Sequence, residues 1–369
     1  MSTVNPPELQ ATLEDAIRNY RDPYLNQDLF TLKAVKSLTC ENGKVSLNIQ
    51  MPYACQGIIG GMQQILMTNL EFVDGVEQVE IDITSKIAMH TVQGEVKAID
   101  GVKNIIAVAS GKGGVGKSTT SVNLALALAQ EGARVGIVDA DIYGPSMGMM
   151  LGIPEGQRPE TSEGKWFIPI PAHGVEANSM AFLVDNNTPM VWRGPKVSGA
   201  LLQLVTQTKW SNLDYLIVDL PPGTGDIQLT LAQRIPVTGA IIVTTPQDIA
   251  LLDCKKGIEM FRKVDIDVLG VVENMSVHIC SKCGHHEALF GEGGGQRIAE
   301  AYNTEVLGEM PLHKTIREQT DAGTPTVVAE PDCEVTLLYR DIARKVSALI
   351  SQKPIDQRYT FPHISVSHL

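Results

Sequence analysis

The 369-residue chain has no apolar run approaching the roughly 18 residues needed to span a bilayer. Its first residues, Met1 to Gln10, are polar and lack the apolar core of a secretory leader. These two absences argue against a membrane-spanning or secreted protein and make the cytoplasm the expected compartment. There is no block of lysine or arginine, and the net charge is −12. Such a balance suits neither non-specific nucleic-acid binding nor adhesion to an acidic membrane, both of which call for a basic patch. Cysteine is sparse, with six residues scattered at 40, 55, 254, 280, 283 and 333. In a chain of this length that scatter is no disulfide framework. Only Cys280 and Cys283 lie close together. Internal repeats and low-complexity segments are also missing.

What is present fits a soluble globular protein, with 43% hydrophobic and 20% charged residues. The length suggests two domains, or one with an appendage. Residues 1–95 read as a small α+β unit. It has helices over 8–20 and 56–71, short strands at Ala34–Leu38 and Val45–Met51 around Asn42-Gly43, and an alternating strand at Val76–Ile83. A linker is expected at 96–104. From 105 to 352 apolar strands alternate with helix-length segments, the signature of a mostly parallel sheet flanked by helices. Strands are expected at Ile105–Ala109, Val135–Val138, Tyr215–Val218, Gly239–Thr244, Val268–Glu273 and near Glu305–Leu307. Between Pro154 and Pro195 the periodicity is poor, which reads as short strands and loops. Val335, Leu338, Ile342, Val346 and Leu349 fall at helical spacing and predict a helix over 334–351 that packs on its own domain. Residues 353–369 form a tail without pattern.

Gly111-Lys112-Gly113-Gly114-Val115-Gly116-Lys117-Ser118-Thr119 stands between an apolar strand and a helical run, the context a phosphate-binding P-loop requires. Its glycines allow the backbone N–H groups to close on phosphate oxygens, and the helix N-terminus adds partial positive charge. In such a loop Lys117 reaches the β- and γ-phosphates and the Ser118 hydroxyl ligates magnesium. Further along, strand ends deliver Asp139 and Asp141, then Asp219 ahead of Leu-Pro-Pro-Gly223, then Asn274. Carboxylates at the mouth of a parallel sheet suit metal and phosphate chemistry, and a side-chain amide suits a base edge.

The second lysine, Lys112, gives the deviant Walker A pattern, and the chain thereby resembles the MinD, ParA and NifH group of dimerising ATPases. The resemblance implies that Lys112 crosses a dimer interface to the partner's nucleotide. It also implies that Asp141 orients the attacking water, that Asp139 and Asp219 support magnesium, and that Asn274 contacts adenine. Further strings narrow the likeness: Asp139-Ala-Asp-Ile-Tyr-Gly-Pro-Ser146, Val191-Trp-Arg-Gly-Pro195, Asp219-Leu-Pro-Pro-Gly-Thr-Gly-Asp226, Thr245-Pro-Gln247, Glu273-Asn-Met-Ser276 and Cys280-Ser-Lys-Cys283. Over about 100–350 the chain is similar to the Mrp/ApbC family of iron–sulfur cluster carrier ATPases. Residues 8–95, with Pro52 and Cys55 ahead of a helix, resemble the SufT-like iron–sulfur-assembly domain. Cys55 itself reads as a buried structural residue.

Two thiolates at the Cys280–Cys283 spacing can ligate one metal centre, whereas a [4Fe–4S] cluster usually takes four. The resemblance implies a cluster bridging two chains of a homodimer and delivered to apo iron–sulfur proteins, with a cluster-assembly scaffold as its source. Two other readings stay open for the pair: a zinc site completed by His285 and His286, and a redox thiol pair. The expected activity is magnesium-dependent ATP hydrolysis. The deviant loop alone fits a positioning or partitioning ATPase equally well. Glu-Asn-Met-Ser at 273–276 differs from the Asn-Lys-x-Asp string of GTPases, which favours ATP.

Overall fold

A computed structural model describes residues 7–94, 96–142, 144–183 and 194–356. The Val191–Pro195 string therefore lies largely outside the described residues, as do Tyr143 and the tail from 357 onward.

The N-terminal unit comprises α1 (Pro7–Arg18), β1 (Val35–Glu41), β2 (Lys44–Met51), α2 (Gln56–Glu71) and β3 (Gln78–Ser85). Asn42 and Gly43 turn β1 into β2 with φ of 50° and 79°, the left-handed pair a two-residue hairpin demands. The alternation along β2 sends Val45, Leu47, Ile49 and Met51 into a core shared with Leu13, Ile17, Leu66 and Leu70. α2 covers this face and returns the chain so that β3 runs parallel to β2.

The larger unit begins with β4 (Val102–Ala109), α3 (Lys117–Gln130), β5 (Val135–Asp139) and the single turn α4 (Met147–Met150). The poorly periodic stretch folds into β6 (Thr161–Ser162), β7 (Trp166–Phe167), β8 (Ile170–Ala172) and β9 (Val175–Ser179). There follow α5 (Gly194–Thr206), β10 (Leu213–Asp219), α6 (Asp226–Arg234), β11 (Gly239–Thr244), α7 (Asp248–Arg262) and β12 (Val268–Ile279). The chain closes with β13 (His286–Glu287), α8 (Gly294–Tyr302), β14 (Val306–Leu312), α9 (Lys314–Asp321), α10 (Thr326–Ala329) and α11 (Glu334–Ser351). The central strands pair in parallel in the order β14-β12-β11-β4-β10-β5-β9, while β13 and β8 add antiparallel pieces. β4, β5, β10 and β11 are buried almost throughout because helices cover both faces. α11 packs Ile342 and Val346 into that core, with Val335, Leu338 and Leu349 partly buried against it, as its periodicity predicts; Ile350 joins the core beside them.

Several element ends shift by a few residues from the sequence reading, and two departures bear on the site. β4 starts at Val102 and so takes in Asn104, which periodicity assigns to the linker. Asn104 is polar but fully buried; its amide donates to the carbonyls of Ala88 and Asp214, and its oxygen lies 3.0 Å from His90 Nδ1. The connection between the units is thus held down by side-chain hydrogen bonds. Segment 89–91 is further pinned by pairing with Pro354–Asp356 beyond α11. β12 also runs on past Glu273 to Ile279, since its hairpin with β13 and pairing with β14 supply ladder bonds where burial has ended.

The units meet at Glu131, the residue that ends α3. Its carboxylate is fully buried, accepts from Arg340 Nε and Arg344 Nη1 at 2.7 Å each, and accepts from the Gly57 N–H at 2.7 Å. It therefore caps the N-terminus of α2 while bonded to α11. Replacing Glu131 by Ala strands two guanidinium groups and a helix-terminal N–H. Glu131→Ala should lower stability toward urea by about 3 kcal/mol, while the exposed Glu71→Ala should change it by no more than about 0.5 kcal/mol. Equal effects of the two substitutions would contradict this account.

Candidate nucleotide site and cysteine hairpin

The strand register builds the site. Asp219 pairs with Asp139 on one side and with Val108 on the other, so β4, β5 and β10 end level at one edge of the sheet. The loop 111–116 crosses that edge and leads into α3. Gly114 and Gly116 both take φ of 81°, where a side chain is strained. At Gly116 a Cβ would also come within 2.1 Å of Asn274 Nδ2.

A cavity of about 220 Å³ opens above the loop, lined by Lys112, Gly113, Gly114, Gly116, Lys117, Ser118, Thr119 and Asp141 together with Ser146 and Pro222. The sequence-predicted Asp139, Asp219 and Asn274 stand behind this lining. Asp219, with no exposure, accepts from Lys117 Nζ at 2.7 Å, from Ser118 Oγ at 2.6 Å and from Ser121 Oγ at 2.6 Å. Asp139 accepts from the N–H groups of Asp141, Ser146 and Met147 at 3.0, 3.0 and 3.1 Å, which shapes the loop that presents Asp141. Burial, reinforced by the neighbouring Asp219 charge, pushes the Asp139 carboxyl up to about 7. Asp141 Oδ1 accepts from the Gly144 N–H at 3.3 Å. Asn274 donates to the Val115 carbonyl at 2.8 Å, bracing the P-loop from beneath.

Several contributors lie outside the sequence motifs. Ser121 lies one helical turn beyond Lys117 and holds the other side of the Asp219 carboxylate; it is one of several buried polar residues in the first turns of α3, beside Thr120 and Asn123. Asp253 of α7 backs onto Gly111 so closely that a Cβ there would meet its carbonyl at 2.3 Å. Gln228 donates to the Pro222 carbonyl at 2.6 Å and fixes the loop after Asp219.

Past Asn274, β12 carries the chain out to the cysteine pair. Cys280 and Cys283 sit at the tip of the β12–β13 hairpin, Cys280 partly exposed and Cys283 exposed. The turn is closed by the Cys280 N–H donating to the His285 carbonyl and the Gly284 N–H donating to the Cys280 carbonyl, each at 2.9 Å. The backbone N–H groups of Lys282 and Cys283, and then the Cys283 thiol, hydrogen-bond to Cys280 sulfur and hold its thiol below the usual range. Among the described residues no group of three or more His, Cys, Asp or Glu side chains is gathered to hold a metal ion. The zinc set of Cys280, Cys283, His285 and His286 is thus not assembled within one chain. Cys55 and Cys254 are buried, and burial pushes both thiols up to about 12, as expected of packing residues.

Comparison with known proteins decides the family. The profile of the ParA-type NUBPL iron-transfer P-loop NTPases matches residues 101–347, well over half the chain. The chain belongs to that family. A second profile, of iron–sulfur cluster assembly proteins, matches residues 10–83 of this P-loop NTPase. An iron–sulfur cluster carrier protein from Pseudomonas fragi is 65% identical over 282 residues, covering 76% of this chain and 97% of the relative. Another from Escherichia coli K12 is 51% identical over 344 residues, covering 93% of each. Among solved structures, a nucleotide-binding protein from Archaeoglobus fulgidus in complex with ADP superimposes with a TM-score of 0.56 and 36% identity. That overlap covers 64% of this chain and 91% of the other.

The two strained glycines separate strain from fit. Ala at position 114 meets open space, whereas Ala at position 116 collides with Asn274. Gly116→Ala should weaken ADP binding by at least about tenfold, and Gly114→Ala by clearly less, as read by titration calorimetry. Equal losses would mean that the Asn274 brace contributes nothing to the loop.

Proposed function

We propose that this P-loop NTPase is an ATP-hydrolysing carrier that holds an iron–sulfur cluster as cargo between two copies of the chain and delivers it to apoproteins. The observation that carries this reading is the hairpin tip. It presents two accessible cysteines, one with its thiolate favoured by backbone N–H donors, on a strand that also braces the P-loop through Asn274. Two thiolates meet half the usual demand of a [4Fe–4S] cluster, and a two-fold related copy supplies the rest. The carrier names of the relatives support the cargo, and the profile over residues 10–83 supports a place in cluster assembly.

In this reading the cradle takes the triphosphate of ATP. Ser118 and Asp219, a hydroxyl and a carboxylate 2.6 Å apart, fit the hard oxygen donors magnesium prefers. Magnesium, when bound, neutralises charge on the β- and γ-phosphates. Lys117, now paired with Asp219 and 3.4 Å from Ser118 Oγ, is placed to neutralise the same oxygens. Asp141, on the cavity wall, positions water for in-line attack on the γ-phosphorus, and Lys112 at the open side serves the partner's nucleotide. The γ-phosphate orders the loops after Asp141 and Asp219, and that order reaches the hairpin through Asn274 and β12. Asp139 acts as the brace of the Asp141 loop.

Cluster transfer from reconstituted protein to an apo-ferredoxin tests the reading. The rate should differ severalfold between no nucleotide, ADP and ATP, and Lys117→Ala should abolish that dependence while leaving the cluster bound. Identical rates in all three conditions would count against nucleotide-controlled delivery. ATP-dependent sedimentation with lipid vesicles or DNA would point instead to a positioning ATPase.

A further inference from the structure

The C-terminal half of α7 carries Lys255 and Lys256, Lys263 caps its end, and all three open into one cleft of about 400 Å³. Thr224 and Tyr302 line its other sides. The acid in this lining, Glu259, lies 3.9 Å from Arg262 and is partly neutralised there. Lys256 reaches Asp253 at 3.0 Å, whereas Lys255 and Lys263 make no ion pair among the described residues. Arg262 stacks over the Tyr302 ring at 5.0 Å and donates to the Tyr302 carbonyl, so a further cation stands behind the cleft and its aromatic wall is fixed.

This arrangement runs against the composition. In a chain with 42 acidic and 30 basic residues, three lysines around one concavity face two carboxylates, Glu259 in the lining and the Asp253 partner of Lys256, which leaves the wall net positive. A concave, low-dielectric wall concentrates their positive potential on whatever enters. The volume is that of a small-molecule site, which commonly spans about 300–1,000 Å³. Thr224 belongs to the loop that follows Asp219 and also contributes Pro222 to the phosphate cradle. A ligand in the cleft therefore touches a loop that flanks the nucleotide.

We propose that the cleft between α6, α7 and the end of α8 binds a multiply charged anion through its carboxylate or phosphate groups, held by Lys255 and Lys263 and flanked by Tyr302. The site is separate from the P-loop and does not depend on the cargo reading. Calorimetric titration of ADP-saturated protein with citrate tests it, because ADP keeps the anion out of the phosphate cradle. Citrate should bind once per chain, more weakly as salt rises from about 20 to about 200 mM. In Lys255→Ala/Lys263→Ala it should bind at least about tenfold more weakly, with ADP affinity unchanged. A hexaglutamate peptide that binds more tightly than citrate, and is lost in the same variant, would place the carboxylates on an acidic segment of a partner protein. No binding of either probe, or undiminished binding in the variant, overturns the proposal.

Discussion

The buried carboxylate of Asp219 is the constraint on which the rest of the site depends. A charge with no solvent exposure at the end of a central strand is tolerable only when fully paired. Here the pairing comes from Lys117 and the hydroxyls of Ser118 and Ser121, all on the first turns of α3. The P-loop helix is thereby anchored to β10 at the point where phosphate binds. Any anion entering the cradle competes for the same ammonium and hydroxyl groups, so ligand binding must rearrange the contacts of Asp219. That competition gives the fold a physical route from nucleotide state to loop position.

The opposite end of α3 is tied as firmly. Glu131 joins it to the N-terminus of α2 and to α11, and the Asn104 amide fastens the connection between the units to β4. The N-terminal unit is therefore packed against the helix that begins at the phosphate loop. On the far side, Asn274 links the loop to β12, and β12 continues into the cysteine hairpin. Nucleotide, hairpin and N-terminal unit are thus connected through two elements, α3 and β12.

Much of this was legible beforehand because the signals are local. The P-loop declares itself through glycine and lysine spacing, and the parallel strands through short buried apolar runs; Gly239–Thr244, α2 and α11 appear where periodicity puts them. What stayed hidden depends on partners distant in sequence. Asn274 looks like a strand-end amide suited to a base edge, and nothing local reveals that one of its N–H groups also braces the Val115 carbonyl. Asn104 looks like linker because nothing local reveals that His90 and Asp214 surround it. β9 falls in the stretch that reads as short strands and loops, and its few residues gain strand character only by pairing with β5. The Glu131 junction joins residues separated by most of the chain, and the lysine cleft arises only when α7 packs beside α6 and α8.

The central claim is that the hairpin cysteines of two chains hold one iron–sulfur cluster. Iron, acid-labile sulfide and zinc per chain, measured on anaerobically purified protein beside Cys280→Ala and Cys283→Ala, test it most directly. The account predicts iron with matching sulfide at about half a four-iron cluster per chain, lost in both variants. Zinc near one per chain, or no metal after reconstitution, would leave a P-loop NTPase and contradict the carrier.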